Sequence, residues 1–225
     1  TTSDDGLITV QADDLNHDGT ADITTTTTLA LSQAGVKTQT VQRKSANNST
    51  LDTYTKTISA DQRTVTESLD RDGNGQADKT VQTSVQNSGQ IVSTTNLYSK
   101  GGVAEATLVA TVSADGLTTT LASDRNADGR VDLMTKAVTT LSDDGSMSKM
   151  VDYTNDRYQL LGRTLTYERD DGLVKDTRID LNGDGIYERR TEETTTLETD
   201  GDVFRTQVTR DGTGAARATV NTWTS

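Results

Sequence analysis

The chain has 225 residues and a formal net charge of −12, with no Cys, no Pro, one His and one Trp. Without Cys it can form no disulfide framework, thiolate zinc site or thiol nucleophile. Its acidity argues against nucleic-acid binding, and no apolar run approaches the roughly 18–20 residues of a membrane-spanning helix.

The amino-acid composition favours β-structure over disorder. Hydrophobic residues make up 31% of the chain, below the roughly 45–50% of a typical globular domain. Low hydrophobicity combined with high net charge is typical of disordered chains. However, 44 residues are Thr, and Thr and Val favour strands because their branched side chains suit a pleated surface. We therefore expect an all-β protein with a thin core.

Four acidic segments of nine residues recur along the chain. They read DLNHDGTAD at 14–22, DRDGNGQAD at 70–78, DRNADGRVD at 124–132 and DLNGDGIYE at 180–188, so their starts are 56, 54 and 56 residues apart. Such a period is the signature of a repeat architecture. The spacing predicts one repeat region over 1–225, with copies at approximately 4–57, 58–112, 113–168 and 169–225 and no domain boundary inside the chain.

Turn signals between these segments predict the strands. Two series of dipeptides keep the same period, one beginning at Asp5-Gly6 and the other at Ala34-Gly35, and Gly suits hairpin turns because it accepts positive φ. In the third copy we expect strands over 117–122, 133–141, 147–153 and 163–168, with an irregular loop near 156–162. Each copy then has about four strands, and no helical periodicity is present.

Two arrangements fit this pattern. Short connections favour antiparallel neighbours, so we expect four tandem repeats of about 55 residues in an elongated β-hairpin array. The alternative is a four-bladed β-propeller with one copy per blade. In either case a single copy buries little surface and depends on its neighbours. Phe204 and Trp223 are expected in the core rather than on a sugar-binding surface.

The acidic segments have the pattern of calcium loops. Each places oxygen side chains at positions 1, 3, 5 and 9 and Gly at position 6. Calcium takes six to eight oxygen ligands at about 2.3–2.6 Å, and a loop around one ion must reverse sharply. Oxygen ligands without Cys disfavour zinc and copper. With the position-7 carbonyl added, the predicted ligands are Asp14, Asn16, Asp18, Thr20 and Asp22; Asp70, Asp72, Asn74, Gln76 and Asp78; Asp124, Asn126, Asp128, Arg130 and Asp132; and Asp180, Asn182, Asp184, Ile186 and Glu188.

The loops differ from EF-hands. Position 12, which in an EF-hand is a bidentate Glu, is occupied by Thr25, Val81, Thr135 and Thr191, and a strand is expected to follow each loop. We therefore expect about four Ca²⁺ ions bound at roughly 10⁻⁴–10⁻³ M, the range of extracellular modules. Asp, Asn and Gly also favour metal-free turns, but four such loops in register favour calcium.

The loops resemble the Asp-rich calcium loops of integrin-α-type and VCBS-type repeats, D-x-[DN]-x-[DN]-G-x-x-[DE]. The dipeptide rhythm is similar to YD-type and other hairpin repeats of large secreted bacterial proteins, including type I-secreted, RTX-associated adhesins. The resemblance covers the whole chain as a repeat pattern, although the Gly-Gly-x-Gly-x-Asp nonapeptides of an RTX β-roll are missing. It implies a secreted calcium-binding repeat region.

We therefore expect a fragment of a larger secreted or cell-surface protein, a structural or adhesive module that folds and stiffens on binding Ca²⁺. Its expected partners are neighbouring repeats and an extracellular or cell-surface glycan or protein, with no nucleic acid and no membrane span. A ligand- or carbohydrate-binding propeller is the alternative function. A polysaccharide-active enzyme is less favoured because no acid/base cluster recurs and His17 has no catalytic partner in the sequence, so we expect no enzymatic activity.

Overall fold

The computed structural model describes residues 1–224, whose regular secondary structure consists of sixteen β-strands. None of these residues forms a helix that could cross a membrane. The strands are β1 Ile8–Asp13, β2 Ile23–Leu31, β3 Lys37–Ser45, β4 Thr50–Ile58, β5 Thr64–Asp70, β6 Lys79–Val85, β7 Ile91–Tyr98, β8 Ala104–Val112, β9 Thr118–Asp124, β10 Leu133–Leu141, β11 Met147–Asn155, β12 Leu160–Glu168, β13 Val174–Asp180, β14 Arg189–Leu197, β15 Val203–Asp211 and β16 Ala216–Thr224.

The described residues fall into two compact units. Unit 1 contains residues 1–114 and 123–129, and unit 2 contains residues 115–122 and 130–224. Strands β1–β8 belong to unit 1 and β10–β16 to unit 2, whereas β9 has residues in both. The third acidic loop is also divided between the units, so its two parts are described separately.

Within each unit, every strand is antiparallel to the next strand along the chain. The pairing continues across predicted copy boundaries, with Thr57 of β4 opposite Thr66 of β5 in unit 1 and Glu168 of β12 opposite Lys175 of β13 in unit 2. The predicted all-β hairpin organisation is therefore confirmed. A propeller starts a separate sheet at each blade, so this pairing gives it no support. The four-copy organisation and its elongated arrangement remain predictions.

The strands of the third copy lie close to their predicted positions. Strand β10 has the predicted bounds, whereas β11 extends to Asn155 and β12 already begins at Leu160. The irregular loop is consequently limited to 156–159. It is shorter than predicted because Leu160 pairs with Thr154 after a shift in register beyond Tyr153.

Neither unit has a hydrophobic core among the described residues. No hydrophobic side chain is buried among them, and the buried side chains are polar or charged, namely Asp70, Asp124, Ser146, Asp176 and Asp180. Trp223 is 61% exposed and Phe204 is half-buried, so their expected place in a core is wrong, because no hydrophobic side chain among the described residues is buried. The strands therefore depend on backbone ladders and on side-chain pairs between neighbouring strands, each pair contributing about 0.2–1 kcal/mol.

The sheet topology places the acidic loops beside hairpin turns. Because successive strands are antiparallel, every second connection lies at the same end of the strands. In unit 1, the loop at 70–78 between β5 and β6 therefore lies between the turns at 45–49 and 99–103. In unit 2, the loop at 180–188 between β13 and β14 lies between the connections at 156–159 and 212–215.

Candidate metal sites

Each acidic loop connects two consecutive strands. The first carboxylate of the loop is buried where it is still the last residue of the preceding strand. Asp70, Asp124 and Asp180 are the last residues of β5, β9 and β13, and they are 7%, 8% and 2% exposed. Asp14 instead follows the last residue of β1 and is half-buried. The strands that follow the loops begin at position 10, as predicted, and no helix follows any loop in the described chain.

The carboxylate at position 1 accepts a hydrogen bond from the N–H of the position-6 glycine in all four loops. The N–O distances are 2.8–2.9 Å, for Gly19 to Asp14, Gly75 to Asp70, Gly129 to Asp124 and Gly185 to Asp180. The four glycines have φ between 86° and 88°, a left-handed conformation that other residues adopt at a cost. This confirms that Gly at position 6 allows the chain to reverse around the first carboxylate.

The side chains at positions 3 and 5 face inward through local hydrogen bonds. The position-3 Oδ1 accepts the N–H of position 5 in every loop, as from Asp184 to Asn182 at 2.9 Å. The position-5 Oδ1 accepts the N–H of position 7 from Thr20, Gln76 and Ile186, at 2.7–2.8 Å. The carbonyl groups of these three residues accept no backbone hydrogen bond within the described chain, which leaves them available as ligands.

The carboxylate at position 9 closes the loop. One of its oxygens accepts the N–H of position 2, from Leu15 to Asp22 at 2.8 Å, from Arg71 to Asp78 at 2.6 Å and from Leu181 to Glu188 at 2.6 Å. An ionised carboxylate has about four lone-pair sites. The bonded oxygen and its neighbour therefore both retain capacity to bind a cation.

Two of the four loops bring three acidic oxygens together. One oxygen each from Asp70, Asp72 and Asp78 lie within 4.8 Å of one another, and so do oxygens of Asp180, Asp184 and Glu188. Two oxygens bound to one Ca²⁺ at about 2.3–2.6 Å lie no more than about 5 Å apart. These two groups, called site 2 and site 4 below, therefore fit a single calcium ion in donor type and in spacing.

The first loop, all of whose residues are described, does not form such a group from Asp14, Asp18 and Asp22. Its Asn16 amide donates to Asp18 Oδ2 at 3.1 Å, as the Asn182 amide does to Asp184 Oδ2 in site 4. In the third loop, Asn126 accepts from the Asp128 N–H at 3.1 Å; Arg130 and Asp132 belong to unit 2.

Position 4 distinguishes sites 2 and 4, and sequence reasoning overlooked it. This position has φ between 55° and 77° in all four loops, in His17, Gly73, Ala127 and Gly183. A Cβ on Gly73 would lie 2.1 Å from the carbonyl oxygen of Thr50, and one on Gly183 would lie 2.1 Å from that of Leu160. Only glycine allows this close approach. The available signal was that Gly occurs at position 4 in these two loops alone.

The position-1 carboxylate of site 4 is held ionised by the backbone around it. Burial raises the pKa of Asp180. The backbone N–H groups of Gly185, Gly183, Asn182 and Asp184 lower it by a larger amount, so the net pKa lies below the ordinary value. Arg163 lies opposite Asp180 in the strand register and donates from Nε to Asp152 at 2.5 Å. Site 4 therefore has an ionised acid beside a cation that is already paired.

Comparison of the chain with protein-family models and with curated proteins gave no match.

Proposed function

We propose that this chain is a calcium-stabilised structural repeat module of a secreted or cell-surface protein. The observation that carries the proposal is the grouping of three acidic oxygens within 4.8 Å at sites 2 and 4, in a protein whose described residues include no buried hydrophobic side chain. An ion that neutralises these groups replaces stabilisation that other proteins obtain from a core.

The mechanism is linkage between ion binding and folding. Without a cation, three carboxylates at this distance repel one another, whereas a divalent ion converts the repulsion into attraction. An ion that binds only the folded loops stabilises them by about 1.4 kcal/mol per site at a tenfold excess over the dissociation constant. Sites 2 and 4 together would give about 3 kcal/mol, and about four filled loops would give about 6 kcal/mol, against a free energy of unfolding of about 5–15 kcal/mol for a small domain.

The expected weak affinity favours an extracellular location. Sites with dissociation constants near 10⁻⁴–10⁻³ M are those of extracellular modules, whereas cytosolic sensors bind far more tightly. The loops would fill and the strands would stiffen after secretion. Neighbouring repeats are the proposed first partners, because pairing already continues from one predicted copy to the next within each unit. An adhesive contact with an extracellular glycan or protein is part of the proposal.

Thermal unfolding with and without calcium tests the proposal. Circular dichroism melts in EDTA and in about 10 mM CaCl₂, roughly ten times the weaker expected dissociation constant, should differ by at least several degrees. MgCl₂ at the same concentration should stabilise less, since Mg²⁺ demands strict octahedral geometry and releases its waters reluctantly. Identical melts in EDTA and calcium would refute the proposal.

Two site variants locate the effect. Asp70→Asn and Asp180→Asn keep the side-chain shape and remove one charged ligand from site 2 or site 4. Each should reduce the calcium-induced shift in melting temperature. Asp144→Asn is the matched control, because this carboxylate accepts hydrogen bonds from Ser146 in a hairpin turn outside the acidic loops. If the control lost as much of the shift as the site variants, the assignment of the ligands would be wrong.

A further inference from the structure

Site 4 has Asn at position 3 followed by Gly at position 4, a combination that the other three acidic loops lack. The first and third loops have Asn at position 3 but continue with His17 and Ala127, whereas site 2 has Asp72 before Gly73. Asn182 of site 4 is exposed. Because glycine has no Cβ, the backbone nitrogen that follows Asn182 meets no steric obstruction in approaching its side chain. Site 4 is therefore the loop in which these two groups can react with each other.

The three loops with Asn at position 3 hold its side chain in the same way. The Oδ1 atom accepts the N–H of position 5 at 2.9–3.1 Å, and the side-chain amide donates to the position-5 carboxylate at 3.1–3.3 Å, in Asn16, Asn126 and Asn182. Position 4 has a positive φ in each of these loops. The loops therefore differ here in the size of the side chain at position 4, which makes Asn126 a control within the same chain.

The backbone nitrogen of Gly183 is bonded to a carboxylate. Its N–H donates to Oδ1 of Asp180 at 2.6 Å, and Asp180 is 2% exposed. A hydrogen bond from an N–H to a carboxylate is charge-assisted and stronger than one between neutral groups, and it increases the electron density on the nitrogen. The proton that this nitrogen gives up when it attacks a carbon atom therefore has an acceptor in place.

We propose that Asn182 is a self-deamidation site, at which the nitrogen of Gly183 attacks Cγ of Asn182. The bond between this nitrogen and Cγ forms, the bond between Cγ and Nδ2 breaks, and Nδ2 leaves as ammonia together with the proton of the Gly183 N–H. Solvent water then opens the resulting cyclic imide at one of its two carbonyl groups, which leaves either Asp or an isoaspartyl linkage at position 182. One water is consumed and one ammonia is released, so the reaction requires no enzyme.

The chain has one other Asn–Gly pair, at 74–75 in site 2, and the structure makes it less reactive. The Asn74 amide donates to the carbonyl of Lys100 in the neighbouring turn at 2.9 Å, and Asn74 Oδ1 accepts the N–H of Gln76 at 2.7 Å. Both partners are backbone groups. The amide of Asn182 donates instead to a side chain of its own loop, which can rotate with it. Since the amide must leave its partners before Cγ can react, Asn182 is expected to react faster than Asn74.

The two products have opposite effects on site 4. Asp at position 182 adds a fourth carboxylate to the loop, as Asp72 supplies one at position 3 of site 2. The isoaspartyl linkage adds one atom to the main chain directly before Gly183, at which even a Cβ would lie 2.1 Å from the carbonyl oxygen of Leu160. This second product should therefore displace the loop from Leu160. A change in calcium affinity follows from either product, and this consequence alone rests on the proposed function.

Peptide mapping by mass spectrometry tests the proposal on the unmodified chain. The chain is incubated in EDTA at mildly alkaline pH, at a temperature where circular dichroism shows folded strands, so the result does not depend on calcium binding. Trypsin then releases the three asparagines in the separate peptides 72–79, 126–130 and 179–189. Asn182 should deamidate about tenfold faster than Asn126, because Ala127 carries a Cβ and Gly183 does not. A rate at Asn182 no greater than at Asn126 would overturn the proposal.

The same incubation in urea separates the effect of the structure from that of the sequence. In the folded chain Asn182 should react about three- to tenfold faster than Asn74, the factor that one retained hydrogen bond supplies. In urea the contact with Lys100 is lost, and the two Asn–Gly pairs should react at equal rates. Asn182→Gln should abolish the mass change in peptide 179–189, because the longer side chain must close a six-membered ring. Equal rates at Asn74 and Asn182 in the folded chain would refute the role of the loop contacts.

Discussion

The Nζ of Lys100 lies 3.3 Å from Oδ2 of Asp72, although 28 residues separate them in the chain. Lys100 belongs to the turn at 99–103, and its carbonyl also accepts a hydrogen bond from the Asn74 amide at 2.9 Å. Burial raises the pKa of Asp72, but Lys100 and the Asn74 N–H lower it more, so the net pKa lies below its ordinary value. Site 2 therefore contains a cation of the protein's own that competes with a metal ion.

Removal of this competing charge should strengthen calcium binding at site 2. We expect Lys100→Gln to tighten it by about two- to fivefold, a modest gain because the lysine is solvent-exposed and exposed ion pairs contribute little. Isothermal titration calorimetry measures the change. Lys37→Gln is the control, since Lys37 begins β3 at the opposite end of the strands. Equal effects of the two substitutions would indicate only a change in net charge.

The close approach at position 4 should make glycine indispensable in site 4. Gly183→Ala must place a Cβ against the Leu160 carbonyl in addition to adopting a φ of +77°, whereas Gly172→Ala has a φ of +69° and open space. The control should cost about 1–2 kcal/mol for its left-handed backbone, and Gly183→Ala about 1–3 kcal/mol more for the displaced carbonyl. Urea denaturation in EDTA measures both. Equal losses of unfolding free energy in the two variants would show that the backbone at Leu160 moves aside at little cost.

A tyrosine on β4 should link stability to alkaline pH. Tyr54 O–H donates to Glu67 Oε1 of β5 at 2.7 Å, and this bond together with burial raises the pKa of Tyr54 to about 12. Since the folded pKa exceeds the ordinary value of 10.0, the stabilisation is fully present below pH 10 and is lost as pH rises towards about 12. The difference between the ultraviolet absorbance titrations of the unmodified chain and of Tyr54→Phe should give the pKa of Tyr54. Glu67→Gln should return it towards 10; an unchanged value would contradict the assigned cause.

A buried aspartate in unit 2 separates two arginines. Arg178 and Arg190 lie directly opposite each other on β13 and β14, and Asp176 accepts from the first at 2.7 Å and from the second at 2.9 Å. Burial raises the pKa of Asp176, but Arg190 and Arg178 lower it below its ordinary value. Asp176→Asn should lower the free energy of unfolding by about 1–3 kcal/mol, because Arg178 loses its carboxylate partner while it faces Arg190, which keeps its ion pair with Glu192 at 2.9 Å.

The exposed pair of Arg169 and Asp171 provides the control for that experiment. Asp171→Asn removes a carboxylate of a hairpin turn in the same unit, where both side chains are at least 40% exposed. It should change the free energy of unfolding by less than about 1 kcal/mol. Urea denaturation at low salt compares the two variants, because urea is uncharged and does not screen the arginines. A loss in Asp176→Asn no greater than in the control would mean that water screens the two arginines.

The sequence by itself determined the local features of this protein. Thr-rich segments between turn dipeptides indicated strands, and the bounds of β10 follow from residues adjacent to it in the chain. The inward-facing oxygens at positions 1, 3, 5 and 9 and the reversal at Gly185 were also predictable, because each depends on hydrogen bonds within nine residues. Such short-range bonds form in the same way wherever the motif occurs.

Only the tertiary structure showed that sites 2 and 4 gather their carboxylates. Gly73 lies against Thr50 and Gly183 against Leu160, 23 residues earlier in each case, and Lys100 reaches Asp72 from the next turn along the edge. These contacts depend on strand register, which a uniform Thr-rich sequence specifies weakly. The structure also showed that Trp223 lies exposed, in a chain whose described residues include no buried hydrophobic side chain. Hydrogen bonds within each nine-residue segment form the loops, and the pairing of neighbouring strands accompanies the grouping of three acidic oxygens at sites 2 and 4.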